Sequence, residues 1–153
     1  MRTFSFISVL LASIGCYSAS KYKSELFNFP ELKPRMFDDF AIYEIKEYNL
    51  NVAVKFQFKK LELKLTNNSQ AAMTYLPLDL NLGTADNRCS IKEIYEIPGK
   101  KVNFETKYTI EKNTTVSFKY KFTCEKSPEA FVTINGLKQK DNKIILNFRF
   151  LKN

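Results

Sequence analysis

Apolar and polar residues alternate with a period of two through most of the chain after residue 40, and this alternation limits what the chain can fold into. Along residues 50–58, LNVAVKFQF, apolar side chains occupy every second position, and the rhythm recurs in residues 102–110 and 116–124. Successive side chains of a β-strand point to opposite faces of its sheet, so this pattern predicts strands with one buried face. Residues 40–153 are therefore expected to form a single β domain.

The number and spacing of these segments predict the architecture. About nine strands and no helix can be assigned between turn signals such as Asn67-Asn68 and Pro98-Gly99. Short, regularly spaced strands favour an all-β, immunoglobulin-like antiparallel β-sandwich, with a closed barrel as the alternative. Residues 21–39 contain Pro30 and Pro34 and lack a clean period, so an irregular N-terminal segment is expected there.

One hairpin can be given a register from its sequence, because opposed residues of two paired strands must share a face. The predicted loop is residues 112–114. The predicted pairs are Tyr108–Phe118, Phe104–Phe122 and Lys107–Lys119. Two facing lysines are either a small anion-recognition site or side chains that splay into water, and both interpretations stay open for the last pair.

Residues 1–20 have the features of a secretory signal peptide. Arg2 is followed by an apolar run over residues 4–15 and by small residues at 18–20. The run is too short to span a bilayer. There are two alternatives. The segment could be a buried first helix, or a lipoprotein leader in which Cys16 is the lipidated residue. No second apolar stretch is long enough to cross a membrane, so a secreted, extracellular protein without a transmembrane span is predicted.

Cys89 and Cys124 remain once this leader is removed. In an oxidising compartment two cysteines most simply form one disulfide, which contributes about 3–4 kcal/mol in the chain-entropy model. Two unpaired buried thiols are the alternative.

Two short segments match the N-glycosylation signal. They are Asn67-Asn68-Ser69 and Asn113-Thr114-Thr115, and both lie at predicted turns. Glycans on Asn67 and Asn113 are therefore expected in a secreted chain.

The chain is basic, and loss of Arg2 with the leader would reduce its net charge from +8 to +7. The excess is nearly all lysine, since the other arginines are Arg35, Arg88 and Arg149. Proteins that recognise nucleic-acid sequences use arginine for bidentate hydrogen bonds to the bases. Because this chain has few arginines, no nucleic-acid partner is predicted. Lysines on solvated strand faces explain the charge, while an anionic lipid, a glycan or an acidic protein remains open as a partner.

Several kinds of chemistry lack the residues that they need. The chain has no histidine, which removes the commonest general base and zinc ligand. The acidic loop residues Asp38-Asp39 and Asp86 are not followed by further oxygen ligands in a recognisable order. No enzyme, catalytic residue, metal or cofactor is predicted, and a hydrolase with two carboxylates from distant strands is the least favoured alternative.

The predicted inner faces are rich in aromatic side chains. The cavity candidates are Phe56, Phe58, Phe104, Tyr108, Phe118, Tyr120, Phe122 and Phe148. If the two sheets close tightly, these rings form a solid core. If the sheets splay, the same rings line a cavity for an apolar molecule such as a lipid or a sterol.

Residues 76–91, LPLDLNLGTADNRCSI, lead into a turn and two long strands. Over residues 63–123 this arrangement resembles the MD-2-related lipid-recognition family of small secreted immunoglobulin-like sandwiches. The resemblance implies a lipid ligand between the sheets. The family has several more cysteines than Cys89 and Cys124, and no functional residue is carried over.

A secreted, non-enzymatic protein that binds a lipid or sterol between its sheets is therefore the leading functional hypothesis. The alternative is a protein-interaction or effector module with a solid core, which binds an extracellular protein or an anionic glycan through its surface. This alternative predicts an exposed apolar patch near residues 26–29 or along the edge strand that contains Pro77.

Overall fold

The computed structural model describes residues 22–153, and the predicted signal peptide lies outside them. The described residues form thirteen strands and a short 3-10 turn at Lys46–Tyr48. The strands are β1 (Tyr22–Leu26), β2 (Arg35–Phe37), β3 (Phe40–Ile45), β4 (Leu50–Gln57), β5 (Lys60–Asn67), β6 (Met73–Tyr75), β7 (Leu80–Gly83), β8 (Arg88–Glu96), β9 (Lys100–Lys101), β10 (Tyr108–Ile110), β11 (Thr114–Thr123), β12 (Glu129–Gln139) and β13 (Asn142–Lys152). The all-β prediction is confirmed, whereas the strand count exceeds the predicted nine. In the part of the chain that the structure describes, no helix has the length and apolarity to cross a membrane.

All pairings are antiparallel, and the sheet curls into two packed layers. Layer A contains β1, β13, β12 and β7 in that order, with β6 beside β12 and β10 beside β6. Layer B contains β8, β11, β5, β4, β3 and β2, with β9 beside β8. Strand β8 joins the layers, because Cys89 pairs with Leu82 of β7 and the following residues pair with β11. The predicted antiparallel sandwich is thus confirmed.

The alternating apolar residues face each other between the two layers. Phe56 of β4 stacks on Phe150 of β13 with ring centroids 4.6 Å apart. Tyr75 of β6 meets Phe118 of β11 at 5.3 Å. The prediction from the period-two pattern is therefore confirmed, since each strand contributes one apolar face to a common core.

The N-terminal segment differs from the prediction, because residues 21–39 contain β1 and β2. Strand β1 pairs with β13 from Tyr22↔Lys152 to Leu26↔Phe148, and its inward side chains join the core. This pairing joins residues more than a hundred positions apart. A short segment that is ordered by a distant strand carries little local signal of its own.

The predicted hairpin register is wrong. Strand β10 pairs with β6, while β11 pairs with β5 and β8. Asn113 has a positive φ of 59° in the connecting turn, which carries the chain from one layer to the other. The rings of Tyr108 and Phe118 still touch, with centroids 4.9 Å apart, but they meet across the layers rather than as strand neighbours.

The predicted edge strand around Pro77 is split into β6 and β7 by the turn at residues 76–79. This turn packs directly on a bulge in β12, between Ile134 and Leu137. Leu76 donates a backbone hydrogen bond to the Gly136 carbonyl at 3.0 Å, and the Gly136 N–H donates to the Asp79 carbonyl at 3.0 Å. A Cβ at Gly136 would collide with the Leu76 carbonyl oxygen and lie 3.1 Å from the Asp79 Cβ.

Replacing Gly136 with alanine is expected to lower the free energy of unfolding by about 3 kcal/mol, because the added methyl meets backbone that cannot swing aside. Chemical denaturation measures this change. Gly83→Ala is the matched control, since its Cβ would meet only the Asn87 carbonyl at an ordinary 3.5 Å. Equal stabilities for the two variants would contradict the proposed close contact.

Candidate functional site

Most of the predicted cavity residues lie in a solid core. Phe118 and Tyr120 have no surface open to water, so neither solvent nor a water-sized cavity lies beside them. Phe56, Phe122 and Phe148 are also buried, and Phe58 and Tyr108 are partly buried against the core. Phe104 was predicted to point inward, but residues 102–107 form a loop and 40% of Phe104 is exposed. The centre of the sandwich is therefore filled by these rings.

Two core tyrosines, Tyr75 and Tyr120, are joined by a hydrogen bond between their hydroxyl groups. The Tyr120 hydroxyl donates a hydrogen bond to the Pro77 carbonyl at 2.9 Å, so the Tyr75 hydroxyl is the donor in the bond between the two phenols. Burial raises the pKa of both phenols well above the usual value of tyrosine. Both hydroxyls therefore stay protonated and link β11 to the turn at residues 76–79.

The direction of these hydrogen bonds predicts unequal costs for removing the two hydroxyls. Tyr120→Phe leaves the Pro77 carbonyl and the Tyr75 hydroxyl without their partners, so a loss of about 2–3 kcal/mol of unfolding free energy is expected. Tyr75→Phe removes one donor to an oxygen that keeps its other bond, and about 1 kcal/mol is expected. Urea titrations of the two variants measure the difference, and a larger loss for Tyr75→Phe would reverse the assignment of donors.

A groove runs along one side of the sandwich. Among the described strands, β1 ends layer A and β2 ends layer B, and the groove of about 500 Å³ lies between them. We call it the edge groove. Its floor is apolar and its rim carries charged and polar groups. It is lined by Tyr22, Lys23, Ser24, Pro34, Met36, Asp39, Ala41, Val54, Lys55, Phe56, Phe150 and Asn153.

A second hollow of about 170 Å³ continues the edge groove along β1. The two share Lys23, Ser24 and Pro34, so together they form an elongated trough. Where they meet, the Ser24 hydroxyl and the Tyr43 hydroxyl hydrogen-bond at 2.9 Å across the layers. Burial raises the pKa of the Tyr43 phenol. The side chains at this junction are therefore held in place by a neutral hydrogen bond.

Sequence reasoning found only part of this trough. Of the eight cavity candidates, Phe56 is the one that lines the trough. Tyr22 and Met36 were missed as site residues because they lie in the segment predicted to be irregular. The apolar cluster noted at residues 26–29 was the available signal. There Leu26 is buried and Phe27 is 53% exposed.

Two ammonium groups stand at the rim of the edge groove. Lys55 lies 3.9 Å from the Asp39 carboxylate and 5.7 Å above the ring of Phe40, while Lys23 is exposed. Asp38 and Asp39 both have positive φ values in the turn between β2 and β3. These two acids therefore shape a tight turn, and Asp39 pairs with one of the two lysines at the rim.

Cys89 and Cys124 form the predicted disulfide. Their Cα atoms are 5.0 Å apart, and the bond fastens the end of β11 to the start of β8, where β8 passes between the layers. Among residues 22–153, no three cysteine, aspartate or glutamate side chains come together as a metal site would require.

The two glycosylation signals lie in opposite environments. The Asn67 side chain is buried, and its amide nitrogen donates to the carbonyls of Ala71 and Ile110 at 2.8 and 2.9 Å. Its oxygen accepts from the backbone N–H and the hydroxyl of Ser69. A glycan on Asn67 is therefore incompatible with this fold, and that prediction is wrong. Asn113 is exposed at the tip of its turn.

Expression of the full chain in a eukaryotic secretory cell is expected to give a folded product with a glycan on Asn113 and none on Asn67. Peptide mapping by mass spectrometry measures the occupancy of each position. Asn113→Gln should remove the glycan mass, whereas Ser69→Ala should leave it unchanged. A folded product with a glycan on Asn67 would contradict the buried hydrogen bonds.

The predicted pair of facing lysines is also different in the structure. Lys107 is exposed in the loop before β10, while Lys119 of β11 lies opposite Glu62 and Tyr95. The lysines that do face each other are Lys60 with Lys121, between β5 and β11, and Lys138 with Lys143, between β12 and β13. The predicted pair is not formed because β11 has other strand partners, and opposed lysines lie elsewhere on the surface.

No protein family, curated protein or solved structure gives a significant match to this chain. The resemblance to the MD-2-related lipid-recognition family accordingly stays a prediction.

Proposed function

We propose that the protein is an extracellular, non-enzymatic binding protein that takes the apolar chain of a lipid into the edge groove. The edge groove itself carries the proposal. It combines an apolar floor between the terminal described strands β1 and β2 with ammonium groups at the rim. The site lies at the side of the sandwich rather than in its filled centre.

The size of the edge groove suits an extended hydrocarbon chain. Its volume of about 500 Å³ falls within the range of small-molecule pockets. A chain seated in the groove covers Met36, 59% of which is exposed, and removes its own methylenes from water. Each buried methylene contributes about 0.8 kcal/mol, which is then offset by the cost of association. Affinities in the micromolar range are expected.

The rim favours a lipid with a negative headgroup. Lys23 and Lys55 are the two cationic side chains that line the groove, and the Lys55 ammonium group lies 3.9 Å from the Asp39 carboxylate. A carboxylate or phosphate at the end of the bound chain would lie beside these ammonium groups, where attraction between opposite charges favours it. An extracellular site of action agrees with the disulfide and with the signal peptide predicted at residues 1–20.

The test places one charge on the apolar wall of the edge groove. Met36→Asp is expected to weaken binding of dodecanoate about tenfold, because the chain would then contact a carboxylate instead of a thioether. Displacement of a fluorescent fatty acid measures the affinity. Both Met36 and its neighbour are surface residues, with 59% and 65% of Met36 and Phe37 exposed, so neither change should affect folding.

Phe37→Asp is the matched control. Phe37 lies on the same strand but is not among the residues that line the edge groove, so this variant should bind like the parent protein. Equal losses for the two variants, or no saturable binding by the parent protein at micromolar concentrations, would overturn the proposal.

Binding of a protein partner is the second candidate, and one observation favours it. Phe27, Phe131 and Ile145 are exposed on the outer face of layer A, near the Arg149 side chain. A partner that docks there would lose affinity in Phe131→Ser and keep it in Met36→Asp, which separates the two functions.

A further inference from the structure

The outer face of layer B carries a concentration of lysines. Lys60 and Lys64 lie on β5, and Lys119 and Lys121 lie on the adjacent strand β11. We call these four residues the lysine band. Glu62 is the one acidic residue on the outer face of the same two strands, so four ammonium groups share that surface with one carboxylate.

The arrangement within the lysine band is unfavourable without a counter-charge. Lys60 and Lys121 lie directly opposite each other, and like charges in that position destabilise a sheet. Glu93 on β8 relieves part of this charge, 3.4 Å from Lys121, but it also lies 3.8 Å from Lys101. A hydrogen bond from Tyr95 and the nearby ammonium groups keep the pKa of Glu93 low. The positive excess therefore remains around Lys60, Lys64 and Lys119.

Aromatic rings hold two of these lysines in place. The ammonium group of Lys64 lies 4.2 Å above the ring of Phe40, and that of Lys121 lies 5.1 Å above the ring of Tyr95. Such contacts restrict the long side chains before any ligand arrives. The entropy lost on binding is correspondingly smaller than for freely moving lysines.

A shallow cleft of about 500 Å³ adjoins the lysine band. It lies between β11 and the turn that follows β8, and its lining mixes lysines with an aromatic ring and apolar turn residues. The lining residues are Glu62, Tyr95, Ile97, Pro98, Gly99, Lys119 and Lys121. Hydrocarbon surface beside cationic groups suits a sugar ring that bears a negative substituent.

We infer that the lysine band and this cleft bind a sulfated polysaccharide. Lysines two apart on a strand are separated by about 7 Å, and neighbouring strands by about 4.8 Å, so cationic groups recur at short intervals along a line across the face. A linear chain with a negative group on successive sugars meets several of them at once. The edge groove plays no part in this inference, which does not depend on the proposed function.

Other polyanions fit this surface less well. Of the eight large apolar side chains that the described residues expose, Ile97 is the one that borders the cleft, so the band lacks side chains to insert into a membrane. The cations of the band are lysines, which act as point charges. Recognition of nucleic-acid bases favours the planar guanidinium group of arginine, so a nucleic acid suits the band less well.

The test compares two triple variants of equal net charge. Lys60→Gln/Lys64→Gln/Lys119→Gln removes cations of the band and keeps Lys121, the partner of Glu93. Lys138→Gln/Lys140→Gln/Lys143→Gln removes three exposed lysines around the β12–β13 turn. Titration calorimetry with a heparin decasaccharide is expected to show about tenfold weaker binding for the first variant and a change below about twofold for the second.

Three further measurements make the result decisive. Thermal melting should show both triple variants folded, since the band variant also removes the repulsion between Lys60 and Lys121. The parent affinity should fall steeply with salt, and less steeply in the band variant. A fully desulfated decasaccharide and vesicles that contain phosphatidylserine should bind at least about tenfold more weakly than the sulfated chain. Equal losses for the two triple variants, or tighter binding to the vesicles, would overturn the inference.

Discussion

Burial of alternating apolar side chains between two antiparallel layers is the constraint on which the rest of this structure depends. Once Val54, Phe56 and their equivalents turn inward, every second residue of the same strands must turn outward. The core and the lysine band are thus two faces of one pattern, because Lys60, Lys64 and Lys119 occupy the positions between the buried ones. The surface chemistry of layer B is fixed by the packing of its interior.

The same constraint explains why the apolar opening lies at the side. Aromatic rings close the centre of the sandwich, where Tyr75, Phe118 and Tyr120 have no exposed surface. Among the described strands, β1 and β2 each pair on one side only, so an apolar side chain such as Met36 is covered only in part. Met36, which lines the edge groove, is consequently available to a ligand.

Local pattern predicted the elements well and their partners poorly. The long strands β4, β5, β11 and β13 alternate over eight residues or more, so their existence and inward faces could be read directly. Strand β1 and its pairing with β13 could not, since that order is imposed by a strand at the far end of the chain. The hairpin failed for a related reason: a turn at Asn113 looks the same in sequence whether the chain folds back beside itself or crosses to the other layer.

The site residues also divide into those set by local sequence and those set by contacts with distant parts of the chain. The two cysteines and the sequon at Asn113 are local features; the structure pairs the cysteines and leaves Asn113 exposed, while a glycan on Asn113 stays a prediction. Asn67 carries an identical sequon, but its amide is consumed by four hydrogen bonds, two of them within the motif and one to a carbonyl 43 residues away. A three-residue motif does not show whether its asparagine side chain will form hydrogen bonds with backbone groups from a distant part of the chain.

The pairing of Tyr22 with Lys152 has a consequence for biosynthesis. The floor of the edge groove takes Tyr22 from the first described strand and Phe150 from the last, so neither end alone contains it. A nascent chain on the ribosome can pair β3, β4 and β5 with one another before β13 has been made. The floor of the edge groove is therefore assembled only after Phe150 has emerged and β13 has paired with β1.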